Sequence, residues 1–253
     1  MTKILLVAGC SHSNGSEITA PGSHRDPNDL ERCFGNKIAQ RNNMTMVNIA
    51  YAGASNKLIE SSIVKNLNKL ISEGHKSEDI IVLIGWTSHP REYVVENGKY
   101  YGFTLNQHNM SSWKRFATLN LRKFYKVWLR FVNYELLSIE HVIRHLTITG
   151  YLKNKGIKYY AFNAVDRIVP PANEFDPINF FNNYKIDEVG YNEIEKDIYY
   201  RKPFSYNDSY FQTLMLDYKL DPTDNNRWYH YAENGHEIWA TILEKEMKLL
   251  GLL

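Results

Sequence analysis

Apolar residues along this chain fall into short unbroken runs that alternate with helical stripes. Ile4 to Ala8 is one such run, and it ends in the polar segment Gly9-Cys10-Ser11-His12-Ser13-Asn14-Gly15. This is the pattern of a strand buried on both faces that runs into a turn. Met46 to Ala50 and Asp79 to Ile84 repeat it, ending at Tyr51-Ala52-Gly53-Ala54-Ser55-Asn56 and at Gly85-Trp86-Thr87-Ser88. Between them Leu58, Ile59, Ile63, Val64, Leu67, Leu70 and Ile71 keep a 3.6-residue period as far as Gly74, which predicts a helix. Leu30 to Gln40 reads as a shorter helix. Ser112 to Leu152 reads as a long helical region of two helices, and Ile157 to Phe162 as a fourth strand. Asp208 to Asp217 and Asn234 to Leu250 complete the helical set, the last with Ile238, Ile242, Leu243 and Met247 on one face. Glu92 to Tyr101 departs from the pattern and predicts a hairpin closed by Asn97-Gly98.

Strands alternating with helices predict a three-layer α/β/α sandwich around a mostly parallel sheet. The expected organisation is a single domain over 1–253, with a hairpin and helical insertion at 92–152 and an irregular loop or lid at 163–205, where Pro, Asn and Tyr collect. Ligands of such sheets bind beyond the carboxyl ends of the strands, so the polar strand-end segments are where chemistry is expected.

Composition narrows the classes. With 43% hydrophobic and 23% charged residues over 253 positions, a largely disordered or collagenous chain is excluded. No apolar run approaches the span of a bilayer, and Ile4 to Ala8 before Gly9-Cys10 is too short for a secretory core, so no membrane partner is expected. Thirty Lys+Arg against 28 Asp+Glu argue against nucleic acid as a partner. The one basic aromatic stretch contains Lys114, Arg115, Arg122, Lys123, Lys126 and Arg130 among Trp113, Phe116, Phe124, Tyr125 and Trp128. It reads as an amphipathic helix with its aromatics in the core and its cations in solvent. Cys10 and Cys33 cannot form a disulfide framework, and the expected location is cytoplasmic. His141 and His145 are four apart on a helix but lack a Glu or third ligand, so neither a metal nor another cofactor is expected.

The glycine spacing of 9–15 fits neither phosphate-binding fingerprint, and no lysine follows Gly15. A serine just past a buried strand, between glycines, suits a nucleophile. Gly53 and Asn56 after the second strand, and Gly85 and Thr87 after the third, would bring hydrogen-bond donors to the same edge, where an oxyanion needs them. His230, just before the last helix, is the base such a serine requires.

These segments together resemble the SGNH (GDSL-type) hydrolases. Gly9, Cys10, Ser11 and Gly15 match the first block, Gly-Asp-Ser-x-x-x-Gly, with cysteine in place of the aspartate. Gly53 matches the oxyanion glycine of the second block. Gly85-Trp86-Thr87-Ser88 aligns with Gly-x-Asn-Asp, so Thr87 stands where the family has an oxyanion Asn. The last block, Asp-x-x-His-Pro-x-x-x-Gly-His, puts His230 on the catalytic His and Gly235-His236 on its end, with Arg227 at the aspartate position.

The resemblance implies a serine hydrolase acting on an ester, including an O-acyl group on a sugar, with Ser11 as nucleophile and His230 as base. The oxyanion would be held by the backbone of Ser11 and Gly53 with Thr87 or Asn56, and His12, Trp86 and Arg91 would line the substrate pocket. A guanidinium at 227 opposes an imidazolium, so the acid passes to Asp224 or Asp221, or a backbone carbonyl orients a Ser-His dyad. The middle third of the chain carries no family block. His236 is expected to be a structural partner of the strand-end loops. An acyltransferase, or a binding protein that keeps the fold without turnover, are the alternatives.

Overall fold

The computed structural model describes residues 2–23, 26–87, 91–96, 99–103, 119–131, 134–165, 209–223 and 230–253. Four strands, β1 (Ile4–Ala8), β2 (Thr45–Asn48), β3 (Ile80–Trp86) and β6 (Lys158–Asn163), form a wholly parallel sheet in the order β2-β1-β3-β6. Register runs Ile4↔Thr45, Ile4↔Ile80 and Ile81↔Lys158. The predicted hairpin is a separate antiparallel pair, β4 (Glu92–Glu96) and β5 (Lys99–Phe103), joined where Glu96 faces Lys99.

Side chains on β1 and β3 divide by parity. Ile4, Leu6, Ala8, Ile80, Val82, Ile84 and Trp86 face a core built with α4 (Asn56–Ser72) and α6 (Tyr134–Asn154). Leu5, Val7, Ile81 and Leu83 face a second core with α3 (Phe34–Arg41), α7 (Tyr210–Leu216) and α8 (Glu233–Leu249). Every residue of β1 and β3 is buried, as a sheet covered on both faces demands, and this is why these strands read as unbroken apolar runs. The three-layer α/β/α sandwich is the architecture expected.

The chain leaves β1 toward β2 on one side and returns through α4 to β3 on the other. This reversal puts a topological switch point between the carboxyl ends of β1 and β3, the standard crevice for a ligand in an open parallel sheet.

Three local readings change. Residues 11–14 are a single helical turn, α1 (Ser11–Asn14), closed by Gly15 in the left-handed region at φ 76. The helix expected over Leu30–Gln40 is two, α2 (Pro27–Arg32) and α3. Asp26 caps α2, its side chain accepting from Asn28 N–H with Pro27 at the first helical position, and Cys33, extended at ψ 154, separates the pair. In α5 (Leu119–Phe131) Tyr125 is buried and Lys123, Lys126 and Arg130 are exposed, but Phe124 and Phe131 are exposed too, so the aromatics do not all enter the core. Most of the predicted lid lies outside the described residues.

Candidate active site

Strand β1 delivers Ser11 to the switch point. Asn14 N–H donates to Cys10 O at 2.9 Å and Ser16 N–H to Ser11 O at 3.0 Å, so the segment turns sharply back on itself and the Ser11 side chain stays half-buried at the sheet edge. Ser11 N–H, at the first helical position, has no intrahelical acceptor. Close packing explains the flanking glycines. A Cβ at Gly9 or at Gly85 would overlap Ser13 Oγ, which is wedged between the ends of β1 and β3, and a Cβ at Gly15 would fall 2.8 Å from that of Cys33. Ser13 is fully buried there and Ser11 is not.

The β2 end is tied to the same edge. Tyr51 N–H donates to Gly9 O at 3.0 Å, and Asn48 Nδ2 to Ser13 O at 3.0 Å. The loop that follows exposes Gly53 in the left-handed region at φ 78. At the β3 end Thr87 is buried with no hydrogen-bond partner for Oγ1, so a short donor is available in the interior of the edge.

His230 reaches the edge from the loop before α8, which is pinned by ion pairs of Glu233 with Lys37 and Arg32. Its Nδ1 lies 2.7 Å from Glu17 Oε2. Glu17 is 1% exposed and stands just past Gly15 and Ser16 after α1, in the left-handed region at φ 63. Its second oxygen accepts from Gly22 N–H at 2.7 Å. A carboxylate on Nδ1 keeps the proton on that nitrogen and makes Nε2 the basic one, and it favours the cation that forms when Nε2 takes a proton.

The sequence points to Asp224 or Asp221 for this role. Asp224 lies outside the described residues. Asp221 accepts from the N–H and hydroxyl of Thr223 at 2.8 and 2.7 Å. The resemblance directs attention to the last block and not to Glu17. Glu17 nevertheless carries a readable signal, being the only acidic residue before Asp26 and sitting just past the Ser11 turn.

His12 is buried, and its ring centroid is 4.9 Å from that of His230. Burial pushes its basicity well down, with further lowering from His230, Arg91 and His236, so it is neutral at physiological pH. His230 and His12 therefore meet directly, and Ser11 adjoins His12 in the chain. No hydrogen bond joins the Ser11 hydroxyl to His230 in this structure. His236 accepts from Phe34 N–H at 3.3 Å and stacks on the Phe34 ring, so it is tied to the start of α3 and not to a strand-end loop. Burial lowers its pKa to about 3.

Two candidates turn out to have other work. Asn56 Oδ1 accepts from Thr87 N–H at 2.9 Å, while Nδ2 donates to Thr87 O at 3.0 Å and to His141 Nδ1 at 3.0 Å. Both amide hydrogens are committed, so Asn56 clamps the end of β3 instead of offering a donor to an oxyanion. Trp86 is fully buried on the α4/α6 side, with Nε1 donating to His145 Nδ1 at 3.0 Å, which places its ring in the core among the described residues. His141 and His145 spend their Nδ1 atoms on these two separate partners. Arg91 lines a small cleft with Asn56, Lys57, Glu92, His141 and Arg144, and its Nη1 is buried without a hydrogen-bond partner.

No family model and no curated protein matches the chain. Among solved structures it is similar to a protein described as lipolytic and of the G-D-S-L family from Desulfitobacterium hafniense DCB-2, at 10% identity and TM-score 0.47 over 97% of this chain and 99% of that one. It is similar also to a carbohydrate esterase whose active site is described as having divergent catalytic and non-catalytic binding functions, at 12% identity and TM-score 0.48 over 97% and 68%. A lipase/acylhydrolase from Enterococcus faecalis aligns at 13% identity and TM-score 0.43 over 98% and 96%. These likenesses are weak in sequence and in superposition. What the site can do is read from its own side chains.

Proposed function

We propose that this chain is a serine hydrolase of the SGNH type that cleaves an ester, with a small-molecule or glycan O-acyl group as substrate, and that Glu17 supplies the acid of its Ser-His-acid set. The observation that carries the reading is the 2.7 Å contact between Glu17 and His230 Nδ1, buried at the strand edge where β1 presents Ser11. Ser11 Oγ attacks the acyl carbon as His230 Nε2 takes the hydroxyl proton. The tetrahedral oxyanion is met by the backbone N–H groups of Ser11 and Gly53 and by the Thr87 hydroxyl. Collapse breaks the bond to the alcohol, which leaves with the proton from His230. Water then adds to the acyl-enzyme by the same route in reverse and releases the acid.

Neutral His12, packed on His230, excludes water from that ring without competing for its proton. Arg91 is the group placed to receive a negatively charged substituent. Closure of a Ser11–His230 hydrogen bond on substrate binding is part of the proposal, since such bonds tighten in the Michaelis complex.

A fluorophosphonate probe followed by peptide mass spectrometry tests it. Ser11 is expected to carry the label, and Ser11→Ala and His230→Ala are expected to take none. Arg227 at the aspartate position of the last block and Thr87 at the oxyanion Asn position favour a second reading, a binding protein of the same fold without turnover. A folded wild-type protein whose Ser11 stays unlabelled would establish that reading and sink the first.

A further inference from the structure

Glu17 needs help to be where it is. A non-glycine residue in the left-handed region costs roughly 1–2 kcal/mol, and a carboxylate that has lost its water must be held by donors. The bonds that hold it come from the far end of its own loop. Glu17 N–H donates to Ser23 O at 2.9 Å, and Gly22 N–H donates to Glu17 Oε1 at 2.7 Å. The outer part of that loop, Thr19 to Gly22, is exposed and offers little apolar packing of its own.

One buried side chain crosses the loop. Asp29, in the first turn of α2, is 0% exposed. Its Oδ1 accepts from both the N–H and the hydroxyl of Thr19 at 2.7 Å, on the outgoing limb. Its Oδ2 meets Ser23 Oγ at 2.5 Å on the returning limb, where the same hydroxyl also lies 2.8 Å from Ala20 O. Ser23 is the residue whose carbonyl holds Glu17. The chain of contacts thus runs Asp29 to Ser23, Ser23 to Glu17, and Glu17 to His230.

We propose that Asp29 is a positioning residue: by bridging Thr19 and Ser23 it fixes the loop that aims Glu17 at His230 Nδ1. The inference rests on the reading of Glu17 as the acid, but its measurement does not require turnover. An imidazole Nδ1 proton held by a buried carboxylate gives a downfield proton resonance, protected from exchange with water. The wild-type protein is expected to show it for His230, and Glu17→Gln to lose it.

Asp29→Asn keeps the shape but replaces an acceptor with a donor. It is expected to broaden or abolish the resonance while the backbone spectrum stays folded. If Asp29→Asn does not fold, Ser23→Ala removes only the hydroxyl from the half-exposed returning limb and is expected to broaden the signal in the same direction. With a p-nitrophenyl ester, both variants should lower kcat by about 10- to 100-fold with KM within about twofold of wild type, the mark of a misaimed group and not of lost binding.

A resonance unchanged in both folded variants, with only a lower melting temperature, makes Asp29 a structural residue and overturns the proposal. A resonance that survives Glu17→Gln shows that Glu17 does not hold the imidazole at all, which overturns the acid reading and this inference together. Loss in Glu17→Gln without loss in Asp29→Asn or Ser23→Ala leaves the acid reading standing and overturns the inference alone.

Discussion

Two imidazole clusters lie on opposite faces of the same strand ends, and they are built to different rules. On the α4/α6 side, Asn56 meets both backbone groups of Thr87 and the ring of His141, and Trp86 meets His145, so these buried polar atoms have partners at about 3 Å. On the α3/α8 side, Glu17 holds His230, while His12 Nδ1, Ser13 Oγ, Asn14 Nδ2 and Ser16 Oγ are buried without partners. A satisfied network rigidifies a fold, whereas unsatisfied donors in a buried edge raise its energy and are tolerated where a ligand or ordered water completes them. The first cluster reads as scaffold and the second as site. Substitutions should divide the same way, with rate lost on one side and stability on the other.

The largest separation is expected from Glu17→Gln. It preserves the volume and the Gly22 contact but removes the charge that fixes the His230 tautomer. kcat with an activated ester should fall by about 10³- to 10⁴-fold, with KM nearly unchanged and a melting temperature close to wild type. A fall of less than about tenfold would remove Glu17 from the machinery and, with it, the contrast between the clusters.

Asn56→Leu should act in the opposite sense. It leaves the N–H and C=O of Thr87 and the His141 ring nitrogen buried without partners, and each such loss costs about 1–3 kcal/mol. Urea unfolding should show the midpoint falling with little change in m. The variant fraction that remains folded should still label at Ser11 with fluorophosphonate, since neither Ser11 nor His230 touches the clamp. If labelling is lost while the midpoint holds, Asn56 belongs to the site and both its amide hydrogens are not spent as the geometry has them.

How far the sequence reveals these two clusters follows from the range of the contacts. Strands β1 and β3 were legible because burial on both faces leaves a continuous apolar signature, and the strand-end polar segments located the edge. Ser55, whose side chain caps Leu58 N–H at 3.3 Å, and the helix behind it follow from local spacing in the same way. The four-residue helix at Ser11 is shorter than any periodicity can reveal. The Asn56–Thr87 clamp spans 31 residues and the Glu17–His230 contact 213, and no local pattern encodes which strand end a side chain will meet. A resemblance points to His230 and to a carboxylate near it in the chain, but a carboxylate can reach one imidazole from either end of the chain, as Glu17 does. Trp86 was misplaced by parity: as an even-numbered residue of β3 it follows Ile84 and Val82 into the α4/α6 core.

The scaffold role of His236 adds a smaller, pH-dependent effect on the site side. Its folded pKa of about 3 is below the ordinary histidine value of 6.5, because burial disfavours the cation, and His230 and Lys37 disfavour it further. The unfolded chain therefore binds a proton that the folded one refuses. Stability from this group is complete above about pH 6.5 and is lost as the pH falls from there toward about 3, at close to 1.4 kcal/mol per pH unit. Replacing it by Asn, which retains an acceptor for Phe34 N–H, should flatten the slope of unfolding free energy between pH 6 and 4 by about that amount. An unchanged slope would mean that other buried groups, His12 first among them, set the acid limit.

The smallest effect concerns the residue on the border between the clusters. Arg91 lines the cleft beside Asn56 and His141, yet its charge is felt by His12, on the other side of the edge. A buried guanidinium nitrogen with no partner is costly unless an anion arrives, and a carboxylate on the substrate would complete it with a planar pair of bonds. Two activated esters of equal leaving group, one with an acetyl and one with a succinyl acyl part, separate this role from a structural one. Arg91→Ala should lower kcat/KM for the succinyl ester by about 5- to 10-fold, near 1 kcal/mol, mostly through KM, and leave the acetyl ester within about twofold. Arg91→Lys should recover only part of the loss, since a point charge lacks the fork. An equal fall for both esters would instead make Arg91 a support for His12 and the strand edge, and would move it from the site into the scaffold.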